Sequence, residues 1–179
     1  MKRIPRSGEY FRVANPAWID PLNPECSRRY GGRWTPVGEF GALYLNATVD
    51  VAAANARHQH RDRAIKLFDL RVEARPRLIT VFVPNHDVID VVTDDGIREL
   101  GLPTSYPCDV PHELCHPIAR DAYANGDPGI ACRSNAEAMQ GFWVGEELAL
   151  FERALPVEEV GRRRAFSEWY PDVVPDESS

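Results

Sequence analysis

Tyr30-Gly31-Gly32-Arg33-Trp34-Thr35-Pro36-Val37-Gly38-Glu39-Phe40-Gly41-Ala42-Leu43-Tyr44 is the stretch from which the fold and chemistry of this chain are read. The pair Gly31 and Gly32 lets the backbone turn sharply or come close to a ligand. Arg33 follows at once, a permanently charged fork whose planar donors match two phosphate oxygens. Trp34 adds a large aromatic side chain. Tyr44 comes eleven residues after Arg33, inside the short apolar run Ala42–Leu45, which reads as a strand. A backbone loop, a phosphate fork and an aromatic face together suit a dinucleotide such as NAD. The plainer alternative is a Gly-rich turn with a surface Arg packed on a structural Trp.

Outward from this turn, the pattern predicts an α+β order. Tyr10–Ala14 reads as a first strand carrying Arg12, and Asn15–Arg29 as a proline-rich loop. Asn46-Ala47-Thr48 offers an N-cap for an Ala-rich helix over Val49–Arg61. Asp69–Ala74 alternates apolar and polar residues, as a half-buried strand does, and the β-branched run Leu78–Val83 predicts another. Asp94–Leu100 reads as a short helix ended by Gly101, and Pro117–Asn125 as a helix with Gly126 beyond it. Gly129–Cys132 is a strand that delivers Ser134 at its tip, and Glu147–Phe151 is a further strand. Strands outnumber helices without regular βαβ alternation, which favours α+β over a doubly wound sheet.

The chain has 179 residues, 44% hydrophobic and 27% charged, enough for one domain with a real core. Its net charge of −6 argues against direct nucleic-acid binding. No apolar run approaches the roughly 20 residues that span a bilayer. The basic start Met1–Arg6 lacks the apolar segment of a secretory signal, so a cytoplasmic protein is expected. Cys26, Cys108, Cys115 and Cys132 show no Cys-x-x-Cys spacing and are expected as free thiols.

Four segments taken in order resemble the RES domain: Phe11-Arg12-Val13, then Arg29–Gly38, then Leu43-Tyr44-Leu45, then Gly129-Ile130-Ala131-Cys132-Arg133-Ser134. The likeness runs from about Tyr10 to about Phe151, and Gly31-Gly32-Arg33-Trp34 is its most specific part. It implies an ADP-ribosyltransferase-like fold of mixed and antiparallel β-sheets with flanking helices, in a single domain spanning 8–160. Residues 161–179 are left as a C-terminal extension with a partly disordered, acidic tail. The resemblance also implies NAD as substrate or ligand without a metal, and NAD-consuming chemistry by hydrolysis, phosphorolysis or ADP-ribosyl transfer. It implies a toxin role, with an antitoxin protein covering the active-site cleft, and association as a homodimer. By the same resemblance Arg12 and Arg33 contact the pyrophosphate, Gly31 and Gly32 bring the backbone close to the ligand, Tyr44 stacks on nicotinamide, and Ser134 binds the nucleotide or shapes the pocket.

One position departs from the family pattern. A Glu is expected eleven residues after the strand Tyr, and that position holds Asn55, within Val51-Ala52-Ala53-Ala54-Asn55-Ala56-Arg57-His58. In NAD cleavage a carboxylate holds the ribose hydroxyls and stabilises the positive charge that develops as nicotinamide leaves. Loss of such a group costs about 3–4 kcal/mol of transition-state stabilisation. Asn55 hydrogen-bonds but carries no charge. A catalytically reduced domain that binds a nucleotide or protein is therefore carried beside the enzyme. Glu39 and Asp50 are the carboxylates near enough in sequence to compensate.

Other residues invite different chemistry. His112-Glu113-Leu114-Cys115-His116 matches His-Glu-x-x-His, which binds zinc when both His lie on one helical face. Pro117 disfavours helical geometry at His116, so the helix is expected to begin near Cys115 and the two His not to share a face. A zinc hydrolase is the least favoured alternative. His58 and His60 are expected near a helix end, capping or solvated. Arg162-Arg163-Arg164 reads as a solvated basic cluster, and Trp143, Trp169 and Tyr170 as core aromatics rather than an association surface.

Overall fold

The longest ladder of the molecule joins β1 (Arg3–Ala14) to β3 (Arg77–Val91), antiparallel from Arg3 opposite Ile89 to Ala14 opposite Arg77. The structure is a computed structural model that describes residues 1–136 and 145–171. Both strands outrun the sequence expectation, which began β1 at Tyr10 and ended β3 at Val83. The β3 expectation rested on the β-branched run Leu78–Val83, and Pro84 follows that run directly. It has no N–H for the ladder, and it lies where β3 carries one more residue than β1, between Val83 opposite Gly8 and His86 opposite Arg6. A strand accommodates proline at such a bulge. Gly8, at φ 105°, supplies the backbone conformation opposite it.

β2 (Ala42–Asn46), β4 (Gly129–Arg133), β5 (Glu146–Phe151) and the short β6 (Glu158–Glu159) complete the sheet. Its order is β1-β2-β5-β4-β3-β6, and because β1 also pairs with β3 the ladder returns upon itself. Among the described strands only β3 and β4 run parallel, so the sheet is mixed, as expected.

Alternation on these strands builds two cores. Leu43, Leu45, Ala131, Leu148 and Leu150 face one side with Tyr10, Val81 and Val83. Ala42, Ile130, Cys132, Ala149 and Phe151 face the other, against Cys115, Ala119 and Ala122 of α4 (His112–Ala124). The spacing of those three helix residues, i, i+4 and i+7, is the apolar stripe of a surface helix. A third cluster joins Ala52, Ala53 and Ala56 of α2 (Val49–His60) to Leu78, Phe166, Trp169 and Tyr170. Residues within the expected C-terminal extension thus pack on the domain: Arg164 bridges to Leu78, and α5 (Phe166–Trp169) supplies two of the aromatics. Trp143 and residues 172–179 lie outside the described residues.

Several local expectations hold. Thr48 caps α2, its hydroxyl accepting from the Val51 N–H at 3.2 Å. α3 (Asp94–Glu99) ends before Gly101, which takes φ 70°. All four cysteines are free. The triple arginine is engaged: Arg162 pairs with Glu168, Arg163 with Glu159, and Arg164 lies over the Phe11 ring. Among the described residues no helix is long and apolar enough to cross a membrane.

Three expectations fail. The proline-rich loop contains a helix, α1 (Glu25–Tyr30). Asp69–Ala74 is not a strand: Leu67–Asp69 and Val72–Ala74 are single 3-10 turns. The alternation there is real, but Val72 is exposed and the segment pairs with no described strand, so it wraps the surface with Leu67 as its anchor. α4 begins at His112 rather than near Cys115, with Pro117 inside it. Burial of Cys115, Ala119 and Ala122 outweighs the missing N–H, because the helix is held by tertiary packing rather than by its own propensity.

Asp90 ties the end of β3 to the start of α3. Its fully buried carboxylate accepts from the Val92 and Thr93 N–H groups at 3.0 and 2.9 Å and from the Thr93 hydroxyl at 2.5 Å, and pairs with Lys2 at 3.2 Å. Burial alone would raise its pKa. The hydrogen bonds outweigh burial, and the group titrates below its ordinary value. Its contribution is therefore present above about pH 4 and is lost as pH falls through the depressed folded value. We expect Asp90→Asn to lower stability at pH 7 by about 1–3 kcal/mol, and to remove part of the native protein's loss of stability below about pH 4. Urea unfolding at pH 7 and at stepwise lower pH measures this; a variant as stable as the native protein at pH 7 contradicts it.

Candidate active site

The glycine-rich stretch forms a closed turn. The Gly32 N–H donates to the Thr35 carbonyl at 2.9 Å and the Thr35 N–H returns to the Gly32 carbonyl at 3.3 Å, with Arg33 and Trp34 at the tip. Gly31 takes φ 75°, in the left-handed region that favours glycine. Gly32 is demanded by space: a Cβ there would stand 2.6 Å from the Tyr44 hydroxyl. That hydroxyl accepts from the Trp34 N–H at 2.9 Å and shares a hydrogen bond with the Thr35 hydroxyl at 3.1 Å. Burial pushes the Tyr44 phenol well above its ordinary range, so it stays protonated. The turn is thereby fastened to β2. The Trp34 side chain is fully buried, 6.3 Å from the Tyr106 ring, and supports the turn from within the core. The aromatic ring that lines the cavity from β2 is Tyr44.

A cavity of about 510 Å³ opens beside this turn, within the range of small-molecule sites. Arg12, Gly31, Gly32, Arg33, Tyr44 and Asn55 all line it. The two expected phosphate contacts are held by neutral oxygens. Arg12 donates to the Pro21 carbonyl at 2.6 Å and the Tyr44 carbonyl at 3.0 Å, and lies over the Trp18 ring at 5.6 Å. Burial pushes its guanidinium down to about 10, still cationic at neutral pH. Arg33 donates to the Val110 carbonyl at 2.9 Å and lies 5.8 Å over the Tyr106 ring. Among the described residues neither arginine has a carboxylate partner.

Asn55 sits on α2 and donates to the Asn46 side-chain oxygen at 2.8 Å; Asn46 in turn donates to the Phe11 carbonyl at 2.9 Å. The amide is thus oriented toward β2 through a second amide. Neither carboxylate near in sequence joins it. Glu39 is taken bidentately by Arg120, which lowers its pKa, and Asp50 is exposed. Glu147, at the start of β5, does line the cavity, and no sequence motif singled it out. The signal available was its place at one end of the alternating strand, on the face shared with Ala149 and Phe151.

Ser134 is fully buried. Its N–H donates to the Gly145 carbonyl at 2.8 Å, and its hydroxyl has no partner among the described residues. The neighbours Arg133, Asn135 and Ala136 line the cavity instead. The Cys132 thiol is raised far above its ordinary value by burial, which leaves it a neutral thiol.

His112 and His116 stand one turn apart on α4, contrary to the expectation drawn from Pro117. The His116 Nε2–H donates to the Gly32 carbonyl at 3.0 Å, which commits that nitrogen to the turn. His112 lines the cavity, and burial, with the charge of Arg33, lowers its pKa. No group of three or more His, Cys, Asp or Glu that could hold a metal ion occurs among the described residues. His58 and His60 fall in the last turn of α2, as expected.

Tyr44→Phe tests the fastening. It leaves the Trp34 N–H without its acceptor in the interior, and we expect a loss of about 1–3 kcal/mol in stability by urea denaturation. Native-like stability in this variant would contradict the role given to the hydroxyl.

Comparison with known proteins places the chain in a family and gives its fold a solved counterpart. Three mycobacterial proteins, each named NAD(+) phosphorylase MbcT, from Mycobacterium bovis and two strains of Mycobacterium tuberculosis, are 31% identical over 83 residues. That stretch is 46% of this chain and 44% of the relative, so the match spans less than half of either. The crystal structure of the Mycobacterium tuberculosis MbcT–MbcA toxin–antitoxin complex contains a chain of the same fold, with TM-score 0.76 and 20% identity over 93% of this chain and 89% of that one. The model of the RES domain matches residues 3–170, beyond the expected limits at both ends, and the chain belongs to the RES domain family.

Proposed function

We propose that this protein binds NAD in the cavity and cleaves its nicotinamide–ribose bond, acting as the toxin of a toxin–antitoxin pair whose antitoxin covers the cleft. The observation that carries this is the pair Arg12 and Arg33, two cations on one cavity whose hydrogen bonds go to carbonyl oxygens. Both side chains are half-buried, and partly desolvated charge of this kind is favoured by an anion that compensates it. A pyrophosphate supplies that compensation in bidentate form. Tyr44 then offers its ring to the nicotinamide end, Asn55 its amide to the nicotinamide ribose, and Gly31 and Gly32 their backbone along the cavity wall. Ser134 shapes the wall from beneath. The activity named for the mycobacterial relatives makes inorganic phosphate the first acceptor to test, before water or a protein side chain.

A second reading is favoured by Asn55, an amide where the resemblance leads one to expect a Glu: a domain that binds NAD or a related nucleotide without turning it over. One experiment separates the two. Purified protein is incubated with NAD, with and without phosphate, and nicotinamide release is followed by chromatography beside Arg33→Ala and Asn55→Glu. We expect release by the native protein and a fall of roughly 10- to 100-fold in kcat/KM for Arg33→Ala, the loss of one charge-assisted contact. Release by Asn55→Glu alone would establish the binding reading. Neither binding nor release by the native protein would contradict both.

A further inference from the structure

The cavity is built almost entirely from cationic and neutral groups. Among the described residues that line it, Arg12, Arg33 and Arg133 carry positive charge and Glu147 is the sole carboxylate. Glu147 sits between two strands, opposite Asn46 on β2 and opposite Cys132 on β4. Residues so opposed project to the same face with Cβ atoms about 4.5–5.5 Å apart. Asn46 is the residue that receives the Asn55 amide. The carboxylate therefore stands one strand away from the amide pair, on the cavity side of the sheet.

Its described neighbours give it no structural task. The same face continues along β5 through Ala149 and Phe151, both fully buried. Neighbouring carboxylates are spent on ion pairs: Glu146 takes Arg6 at 2.5 and 2.8 Å, and Glu152 takes Arg28, the Tyr123 hydroxyl and the Gly41 N–H. Among the described residues no hydrogen bond or ion pair engages the Glu147 side chain. A half-buried carboxylate that no described residue pairs with, at the end of an apolar row and on the same cavity as Arg12 and Arg33, breaks the local rule for stability, as functional sites do.

We infer that Glu147 supplies the catalytic carboxylate that Asn55 lacks, meeting the nicotinamide ribose from β5 rather than from α2, an assignment that rests on the NAD chemistry proposed above. The bond from ribose C1′ to the nicotinamide nitrogen breaks, and both its electrons leave with nicotinamide. The positive charge that develops on the ribose faces the Glu147 carboxylate. An oxygen of water or inorganic phosphate forms the new bond at C1′ and releases its proton to solvent. Glu147 neither gains nor loses a proton over the cycle; its contribution is electrostatic.

The test is Glu147→Gln, which keeps shape and removes charge. Nicotinamide release and NAD binding by titration calorimetry are measured for native protein and variant, with a thermal melt to check folding. We expect kcat to fall by on the order of 100-fold, while NAD still binds and the melt is unchanged. A variant with native kcat overturns the assignment and leaves the NAD reading standing. Native protein that binds NAD without cleaving it also overturns the assignment. Native protein that does neither removes the NAD reading, and this inference with it.

Discussion

The Tyr44 hydroxyl is the constraint on which the site depends. It receives the Trp34 N–H and meets the Thr35 hydroxyl, so the tip of the turn is fastened to the middle of β2. Gly32 is required because the phenol occupies the space of a Cβ. His116 holds the same turn from α4 through the Gly32 carbonyl. Arg33, at the tip, is therefore fixed by the sheet on one side and a helix on the other. Preorganisation of this kind matters for chemistry, because a donor held in place need not be reordered when the ligand arrives.

Electrostatics divide the cavity. Arg12 and Arg33 present positive charge hydrogen-bonded to carbonyl oxygens, and Glu147 presents the opposite sign across β2 and β5. A dinucleotide has the complementary order, with an anionic pyrophosphate in its middle and a nicotinamide end that is cationic before cleavage. The amide pair Asn46–Asn55 lines the same cavity as neutral hydrogen-bonding surface, with Asn46 opposite Glu147. A carboxylate can serve a developing cation from either neighbouring element, because what the reaction requires is charge at a place and not a particular position in the chain.

Much of this was legible in the sequence, and for identifiable reasons. The turn at Gly31-Gly32-Arg33-Trp34 was legible because it lies within one short stretch, where spacing constrains geometry, whereas the fastening by the Tyr44 hydroxyl was not, since Tyr44 was expected as a stacking ring. Thr48 and Gly101 were legible because caps are local chemistry. Glu147 was not, since its meaning comes from lying opposite Asn46, which is far earlier in the chain. The helix at His112–Ala124 was misread because Pro117 is a local signal, whereas the burial of Cys115, Ala119 and Ala122 that overrides it is tertiary. The strand expected over Asp69–Ala74 failed for the complementary reason: alternation was present, but no neighbouring strand was there to receive it. β3 continues past its β-branched run through Pro84, whose bulge only the paired strand reveals.

The most direct test of the proposed site is a crystal structure of the protein with NAD or ADP-ribose bound. We expect the pyrophosphate against Arg12 and Arg33, with the nicotinamide-side ribose between Tyr44, Asn55 and Glu147. A ligand seated elsewhere, or one whose pyrophosphate touches neither arginine, would contradict it.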